Sequence, residues 1–541
     1  MTDEPSMKIE RRPPTVGFWR RWRPRILAVS LGLVVIAALV WGGIALMPAA
    51  PGPAPSTDCG GPGSGLIRTD GECVGVTDGS GPYPLSPSLA AVEKKIADEN
   101  THAMASGNAV TIAMLNPLTA DASTALSADE IRNEVEGAYT AQYRANNTNA
   151  IGDKTPLIRL VLANEGSHEK QWPQVVTQLE GMVHDKAPLV AVVGLGVSDQ
   201  ETLDGIRELW KHSIPTIAAI DTADQLHYAD DSQGFIRVAA SNRQYVLSLK
   251  KYLATRPDLN TAMLLYDTNS FLPPEKGRDL FAWSLMDDMQ KGFPNLIRDI
   301  APQGFAGISG TTGARPDQFA DIATKICAVK PAAVLFAGRE ADLPNLLADL
   351  VNRSCRGEAI TVVTAGSDLG ILGDDSDELK KWHITVVYAA LTDYTDWKAG
   401  APGTPPYFTD FTDAFQGRGF SAKDLEDGGA ISTHDSVFAA VRAIRNTIPS
   451  ATPGATVAPG SAQMAFQAVD VAGQLFNMNV GSLVPGASGD LAFSRHGTDA
   501  AASSDPVGKP LPVRSIPASV IGTQKDADIY VTCSGNDPDL C

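Results

Sequence analysis

The part of the chain that most restricts its fold lies between residues 109 and 221, where one unit repeats four times. Each unit has a short apolar run, a polar turn and an amphipathic stretch. The four apolar runs are residues 110–115, 157–162, 189–194 and 214–218. Strands that are buried on both faces read as continuous apolar runs, and helical patterns between them indicate βαβ crossovers. The sequence therefore predicts an α/β fold built on an open, doubly wound parallel sheet.

A second series of the same kind begins at residue 261. Its apolar runs are 261–266, 332–336, 360–363 and 384–388, with helical patterns at 277–290, 317–329 and 343–351. The chain has 541 residues, which exceeds what a single hydrophobic core usually supports. We therefore expect two lobes of similar construction. In such sheets ligands bind outside the carboxyl ends of the strands, so the loops after these runs are the candidate functional segments.

The formal net charge of −18 is unevenly distributed along the chain. Residues 1–25 contain seven basic and three acidic side chains, a net charge of +4, so the remainder carries −22. Nucleic-acid binding depends on basic side chains that displace counterions from phosphates. A strongly acidic body therefore argues against a nucleic-acid partner.

Residues 26–47 form an almost unbroken apolar run, about long enough to cross a bilayer as a helix. The basic cluster before this run predicts a cytoplasmic N-terminus. A cleaved signal peptide is the alternative, but its apolar region is shorter, roughly 7–15 residues. We expect a cytoplasmic tail at 1–25, an uncleaved single-pass anchor in the cell membrane at 26–47, and an extracytoplasmic bulk. A Pro/Gly-rich linker and stapled collar are expected at 48–108.

The six cysteines all follow the apolar run, and disulfides persist outside the cytoplasm. Six cysteines allow fifteen pairings. Sequence proximity favours three local pairs, which are Cys59 with Cys73, Cys327 with Cys355, and Cys533 with Cys541. The paired spacing typical of zinc ligands is absent, so no metal site is expected.

Six segments, taken in order, resemble motifs of a known family. They are IAMLNPLT at 112–119, VAVVGLGVS at 190–198, IPTI with DTA at 214–223, AMLLYD at 262–267, DSVFAA at 435–440 and GDLAFSRHG at 489–497. Their order and spacing resemble the type I periplasmic binding proteins. More narrowly, they are similar to the branched-chain amino-acid (leucine/isoleucine/valine) solute-binding proteins of ABC transporters and to the related receptor ligand-binding regions.

The resemblance implies two lobes joined by a hinge, with a ligand held between them. The expected division is lobe 1 at 109–239, lobe 2 at 240–390, a return to lobe 1 at 391–484, and completion of lobe 2 with a C-terminal tail at 485–541. The connections are expected near 239–241, 389–391 and 484–486. Closure would depend on contacts that only the closed form makes.

The resemblance also implies ligand-binding residues. Ser198 and Thr222, with the backbone around Ile220, would hold a ligand carboxylate at the ends of two lobe-1 strands. Ser198 is alternatively the N-cap of the next helix, and Thr222 a loop hydroxyl. In lobe 2, Phe271 stands where the family often has an aromatic hydroxyl, and Asp368 is the nearest candidate for the acidic group that the family places at the ligand's ammonium. Phe271 is alternatively part of the core, and Asp368 a solvated turn residue.

The function that follows is capture of a small, amino-acid-like solute outside the cytoplasm for an ABC-type permease. The alternative is a ligand-sensing or scaffold ectodomain that acts through a signalling partner without transport. Catalytic motifs such as GxSxG, HExxH and a P-loop are absent, so we expect neither an enzyme nor a cofactor. His434 and Asp435 are expected to pack within a helix.

Overall fold

The computed structural model of the chain describes residues 59, 64–121, 123–227, 231–309, 314–366, 369, 376–448, 466–479, 481–493, 504–517 and 529–533. The expected anchor at 26–47, the site candidate Asp368 and the disulfide candidate Cys541 lie outside these residues. Within the described ranges, no helix combines the length and the apolar character needed to cross a membrane.

The first sheet has seven strands, and with the helices packed on it we call it lobe 1. Its strands are β1 (Leu66–Thr69), β2 (Glu72–Thr77), β3 (Ala109–Asn116), β4 (Leu157–Asn164), β5 (Leu189–Gly194), β6 (Thr216–Ala218) and β7 (Phe235–Arg237). Their order is β1-β2-β4-β3-β5-β6-β7. The four predicted runs are confirmed as β3 to β6, which pair in parallel.

Both faces of the first sheet are buried. In β3, Ile112 and Met114 pack into one core cluster, whereas Ala113 and Leu115 pack into a second cluster on the other face. Because neighbouring side chains of a strand point to opposite faces, a strand covered on both sides needs apolar residues at every position. The continuous apolar runs in the sequence have this cause.

The second sheet, which with its helices forms lobe 2, has six strands. These are β8 (Ala262–Asp267), β9 (Gln303–Phe305), β10 (Ala333–Ala337), β11 (Ile360–Gly366), β12 (Ile384–Ala390) and β14 (Val513–Ile516). The order is β14-β12-β11-β10-β8-β9, parallel except for β14, which runs antiparallel to β12. Two short strands, β13 (Pro510–Leu511) and β15 (Tyr530–Val531), pair separately.

Helices cover both sheets. They are α1 (Ala90–Ala105), α2 (Ala128–Asn147), α3 (Trp172–Gly181), α4 (Gln200–Lys211), α5 (Asn242–Leu253), α6 (Leu280–Gly292), α7 (Pro294–Ile297), α8 (Gln318–Val329), α9 (Leu343–Val351), α10 (Ser376–Lys381), α11 (Tyr394–Lys398), α12 (Phe408–Gly417), α13 (Gly429–Asn446) and α14 (Ala468–Leu475). A capping box between Ser127 and Glu130 fixes the start of α2.

The connections between the lobes differ from the expectation at one place. The chain leaves lobe 1 after β7 and returns after β12, as the sequence indicates. The third connection was expected at 484–486, but Val484 and Leu491 are fully buried in the core of lobe 1. The chain joins the second sheet only at β14, so this connection lies after Phe493. The segment at 484–491 is short and its apolar residues show no periodicity. Its sequence therefore does not indicate which of the two lobes it packs into.

Two of the predicted disulfides, Cys59 with Cys73 and Cys327 with Cys355, are confirmed. The partner expected for Cys533 is outside the described residues. The collar predicted at 48–108 contains the β1–β2 hairpin, and β2 extends the first sheet by pairing antiparallel with β4. The Gly-rich composition of this segment concealed both strands from sequence reasoning.

Candidate ligand-binding cleft

A cleft with about 880 Å³ of empty space, partly open to solvent, lies between the two lobes. Its lobe-1 wall includes Val197, Ser198, Ile220 and Thr222, which follow β5 and β6. Its lobe-2 wall includes Phe281, in the first turn of α6, and residues at the carboxyl ends of β10 and β11. The residues that line it are Ala125, Leu126, Glu130, Glu134, Val197, Ser198, Ile220, Thr222, Phe281, Phe336, Gly338, Arg339, Glu340, Leu343, Thr364, Ala365, Gly366, Leu369, Leu391, Asp427 and Gly429. The cleft therefore lies at the carboxyl ends of strands from both sheets.

Ser198 organises the lobe-1 wall. Its hydroxyl accepts hydrogen bonds from the backbone N–H groups of Thr222 and Ala223, at 2.9 and 3.2 Å, and donates to Asp221 at 3.2 Å. It is not a helix N-cap, because α4 begins at Gln200 and the side chain of Asp199 caps it. The hydroxyl thus joins the ends of β5 and β6 and occupies two amides that could otherwise face a ligand.

Thr222 presents an unused polar group to the cleft. The residue is 3% exposed, and its hydroxyl oxygen has no hydrogen-bond partner among the described residues. A buried hydroxyl without a partner costs free energy, of the order of 1–3 kcal/mol. A ligand in the cleft would offset this cost by hydrogen bonding to Thr222.

The two lobes touch directly beside the cleft. The carbonyl oxygen of Ser198 accepts hydrogen bonds from the backbone N–H groups of Leu280 and Phe281, at 3.1 and 3.0 Å. The N–H of Gln200 donates to the carbonyl of Arg278 at 3.0 Å. The first N–H groups of a helix have no acceptor within that helix. In α6 of lobe 2, two of these N–H groups find their acceptor in lobe 1.

Arg339 supports this contact from lobe 2. Its guanidinium lies 2.6 Å from the carboxylate of Asp279, donates to the carbonyl of Ser198 at 3.2 Å, and stacks 4.9 Å from the centre of the Phe281 ring. Asp279 in turn accepts from Ser309 and caps α6 at Ala282. The side chain of Asp279 is 5% exposed and that of Arg339 is 12% exposed.

The cleft is acidic. Four lining residues carry carboxyl groups and one carries a guanidinium; these are Glu130, Glu134, Glu340, Asp427 and Arg339. Burial raises the pKa of Glu134 well above its ordinary value, and the nearby carboxyl groups of Asp427, Glu130 and Asp221 add to the rise, whereas a hydrogen bond from Asn116 opposes it. Two like charges about 4 Å apart repel by roughly 4 kcal/mol at an effective dielectric constant of about 20. The cleft therefore disfavours a further anion.

Buried carboxyl groups elsewhere predict an unusual pH dependence of stability. Burial raises the pKa of Glu93 and Glu136 to about 7, of Asp342 to about 8 and of Asp288 to about 9. The folded protein therefore binds more protons than the unfolded chain at neutral pH. Burial lowers the pKa of His434 to about 4 and the pKa of Lys509 to about 8, and each of these groups opposes the trend by less than one proton between pH 8 and 6.5. We expect the free energy of unfolding to rise as the pH falls from about 8 to 6.5.

Urea unfolding at both pH values measures this slope. Asp342→Asn should flatten it, since the amide oxygen can still accept from the N–H of Ile308, 2.8 Å from the carboxylate. Asp317→Asn, on an exposed side chain, is the control and should leave the slope unchanged. A protein that becomes less stable between pH 8 and 6.5 would contradict the prediction.

Some of the site residues predicted from the sequence line the cleft, and one of them does not. Ser198, Ile220 and Thr222 line the cleft, whereas Phe271 does not. Phe271 is 47% exposed and packs edge-to-face on Tyr266, with 5.7 Å between ring centres. Sequence reasoning missed Glu130 and Glu134, although the spacing of acidic residues on an amphipathic helix was a signal for both.

Other polar groups lie away from the cleft. His434 and Asp435 are fully buried in α13, as predicted. Glu180, Glu208 and His212 approach one another closely enough to hold a metal ion. His212 is exposed and lies 3.2 Å from Glu180, a geometry that a simple ion pair also explains.

Comparisons with known proteins identify the fold. No protein-family model matches the chain. No curated protein matches it by sequence. Its structure is similar to the branched-chain amino acid transporter substrate binding protein LivJ from Streptococcus pneumoniae in complex with isoleucine, at 14% identity and a TM-score of 0.50, covering 78% of this chain and 98% of that one.

Two further solved structures agree with this result. One is the solute binding protein of an ABC transporter from Rhodopseudomonas palustris BisB5 in complex with 3,4-dihydroxybenzoic acid, at 12% identity and a TM-score of 0.51, covering 75% and 92% of the two chains. The other, from Rhodopseudomonas palustris HaA2 with p-hydroxybenzoic acid, has 10% identity, the same TM-score of 0.51 and the same coverage, 75% and 92%. The chain has the type I periplasmic binding protein fold.

Proposed function

We propose that this chain is a membrane-tethered, extracytoplasmic solute-binding protein that captures a small, amino-acid-like molecule between its lobes for an ABC-type permease. The observation that carries the proposal is the cleft, which is lined by strand ends from both sheets and contains the unpartnered hydroxyl of Thr222. A ligand that contacts both walls would stabilise the closed form, because those contacts are lost when the lobes separate.

The proposed location rests on two features of the chain. The apolar run at 26–47, preceded by basic residues, has the properties of a single-pass anchor with a cytoplasmic N-terminus. The two disulfides fit an oxidising compartment outside the cytoplasm. The similar structures are described as solute-binding or substrate binding proteins, and the proposed function involves no covalent chemistry.

A sensor or scaffold ectodomain is the second candidate. The direct hydrogen bonds from the backbone of Leu280 and Phe281 to Ser198 join the lobes through the protein's own backbone, which a transport receptor does not require. The two candidates differ in what loss of the protein does to cells. Loss of uptake of the bound solute supports transport, whereas normal uptake with an altered response to the solute supports sensing.

A thermal-shift screen of the full-length chain in detergent, against amino acids, amines, aromatic acids and other small solutes, tests solute capture. A ligand at 100 times its dissociation constant stabilises the folded state by about 2.7 kcal/mol. We expect at least one clear increase in melting temperature. A flat response across the whole screen would contradict the proposed function.

Thr222→Val should weaken binding of any such ligand about fivefold, because it removes a hydroxyl of nearly the same volume that a bound ligand would satisfy; a neutral hydrogen bond contributes about 1 kcal/mol. Isothermal titration calorimetry measures the change. Thr324→Val is the matched control, since this hydroxyl bonds to its own helix on an exposed face. If Thr222→Val and Thr324→Val bind the ligand with equal affinity, Thr222 does not contact the ligand.

A further inference from the structure

The lobe-1 wall is poorly suited to a ligand carboxylate. The backbone amides of Thr222 and Ala223 already donate to the hydroxyl of Ser198. The carboxyl group of Asp221 is completely buried and hydrogen-bonds to that same hydroxyl. An incoming carboxylate would have to displace Ser198 from both amides and approach a second carboxyl group. This arrangement favours a ligand without a negative charge at this position.

The guanidinium of Arg339 does not compensate. It is paired with Asp279 at 2.6 Å and donates to the carbonyl of Ser198 at 3.2 Å. A ligand anion that recruited Arg339 would leave Asp279 as a buried carboxylate without its cation, which is costly. The one guanidinium that lines the cleft in the described part of the chain is therefore committed to the contact between the lobes.

Further carboxyl groups of lobe 1, on α2, line the cleft and are suited to a cation. Glu134 is 1% exposed and lines the cleft, with Asn116 donating to one of its oxygens at 2.7 Å. Neither Glu134 nor Glu130 has a cationic side chain within 4.0 Å among the described residues. An ammonium or guanidinium group from a ligand would supply the missing counter-charge and offset the burial that raises the pKa of Glu134.

The remaining walls define the rest of the ligand. Phe281, Phe336, Leu343 and Leu369 form an apolar surface on lobe 2, which suits a hydrocarbon or aromatic body. The unpartnered hydroxyl of Thr222 lies on the facing wall and is 97% buried, so it can accept from, or donate to, a polar group of the ligand. An inorganic cation would leave the apolar surface unused.

We propose that the cleft binds a small organic cation that lacks a free carboxylate, with its ammonium or guanidinium group directed to Glu134 and Glu130 and its apolar part against lobe 2. This inference rests on the proposed solute-binding function and specifies the class of solute. It departs from a free amino acid, whose carboxylate would need the amides that Ser198 occupies.

Matched probes test the charge requirement on the unmodified, full-length chain. Leucinamide is compared with leucine, and phenethylamine with 3-phenylpropionate, by isothermal titration calorimetry; agmatine is added as a guanidinium probe. Each pair keeps the apolar part of the molecule and changes only the charge pattern. We expect a cationic probe to bind at least tenfold more tightly than its carboxylate counterpart. Equal or tighter binding of leucine or 3-phenylpropionate would overturn the inference while leaving solute capture intact.

Glu134→Gln tests whether the carboxylate of Glu134 binds the cationic group of the ligand. The amide oxygen can still accept from Asn116, so the fold is expected to persist, while affinity for the cationic probe should fall at least tenfold. Glu136→Gln is the matched control on the same helix, because Glu136 does not line the cleft, and it should leave the affinity unchanged. Unchanged affinity in Glu134→Gln contradicts the assignment. A null result with all three cationic probes contradicts the inference, and the broad thermal-shift screen then decides whether solute capture fails as well.

Discussion

Arg339→Ala should lower the free energy of unfolding by about 3–5 kcal/mol, the usual cost of removing one partner from a buried ion pair. The substitution leaves Asp279, whose side chain is 5% exposed, as an uncompensated carboxylate. It also removes a donor from the carbonyl of Ser198 across the lobe contact. Urea unfolding measures the loss, and small-angle X-ray scattering should show a larger radius of gyration because the lobes separate more readily.

A second substitution separates the cost of the uncompensated charge on Asp279 from the loss of the packing contacts of Arg339. Asp279→Asn in the Arg339→Ala background should recover part of the lost stability, because the buried charge is gone while the amide oxygen still caps α6 at Ala282, 2.8 Å away. Arg315→Ala is the control, since its pair with Asp317 is exposed and such pairs contribute about 0–1 kcal/mol. A double variant less stable than Arg339→Ala alone would contradict the proposed origin of the loss.

Asp435→Ala should destabilise the protein by about 3–5 kcal/mol, because each buried donor left without an acceptor costs about 1–3 kcal/mol. The carboxylate is completely buried and accepts four hydrogen bonds, from the ring of His434, the backbone N–H groups of Ala487 and Ser488, and the hydroxyl of Ser488, at 2.6–2.8 Å. Burial alone would raise its pKa, but these bonds lower it, so the group stays charged. Removing it leaves several buried donors without an acceptor.

Hydrogen exchange locates this effect. The amides of Ala487 and Ser488 should exchange much faster in Asp435→Ala, because this turn is attached to α13 through the carboxylate. Asp413→Ala, at an exposed position of α12, is the control and should change stability by less than about 0.5 kcal/mol. Native-like protection of both amides in the variant would show that other contacts hold the turn.

The contrast between Asp435 and Glu134 shows which residues of the structure sequence motifs can predict and which they cannot. Asp435 lies in the segment DSVFAA, which resembles a family helix, and packing was the correct interpretation of it. Glu134 lies on an amphipathic helix that reads as an ordinary covering of the sheet, yet it lines the cleft. The pattern of apolar residues indicates which face of a helix is buried, but not whether a neighbouring polar residue faces solvent or a gap between lobes.

The sequence by itself determined the parallel strands of the two sheets, since strands covered on both faces need continuous apolar runs, and it placed Ser198, Ile220 and Thr222 at strand ends. Only the tertiary structure decided what those residues contact. The bonds between Ser198 and lobe 2, the pairing of Arg339 with Asp279 and the acidic wall at Glu134 join residues far apart in the chain. Local periodicity carries no information on such pairings, because they depend on how the two sheets meet.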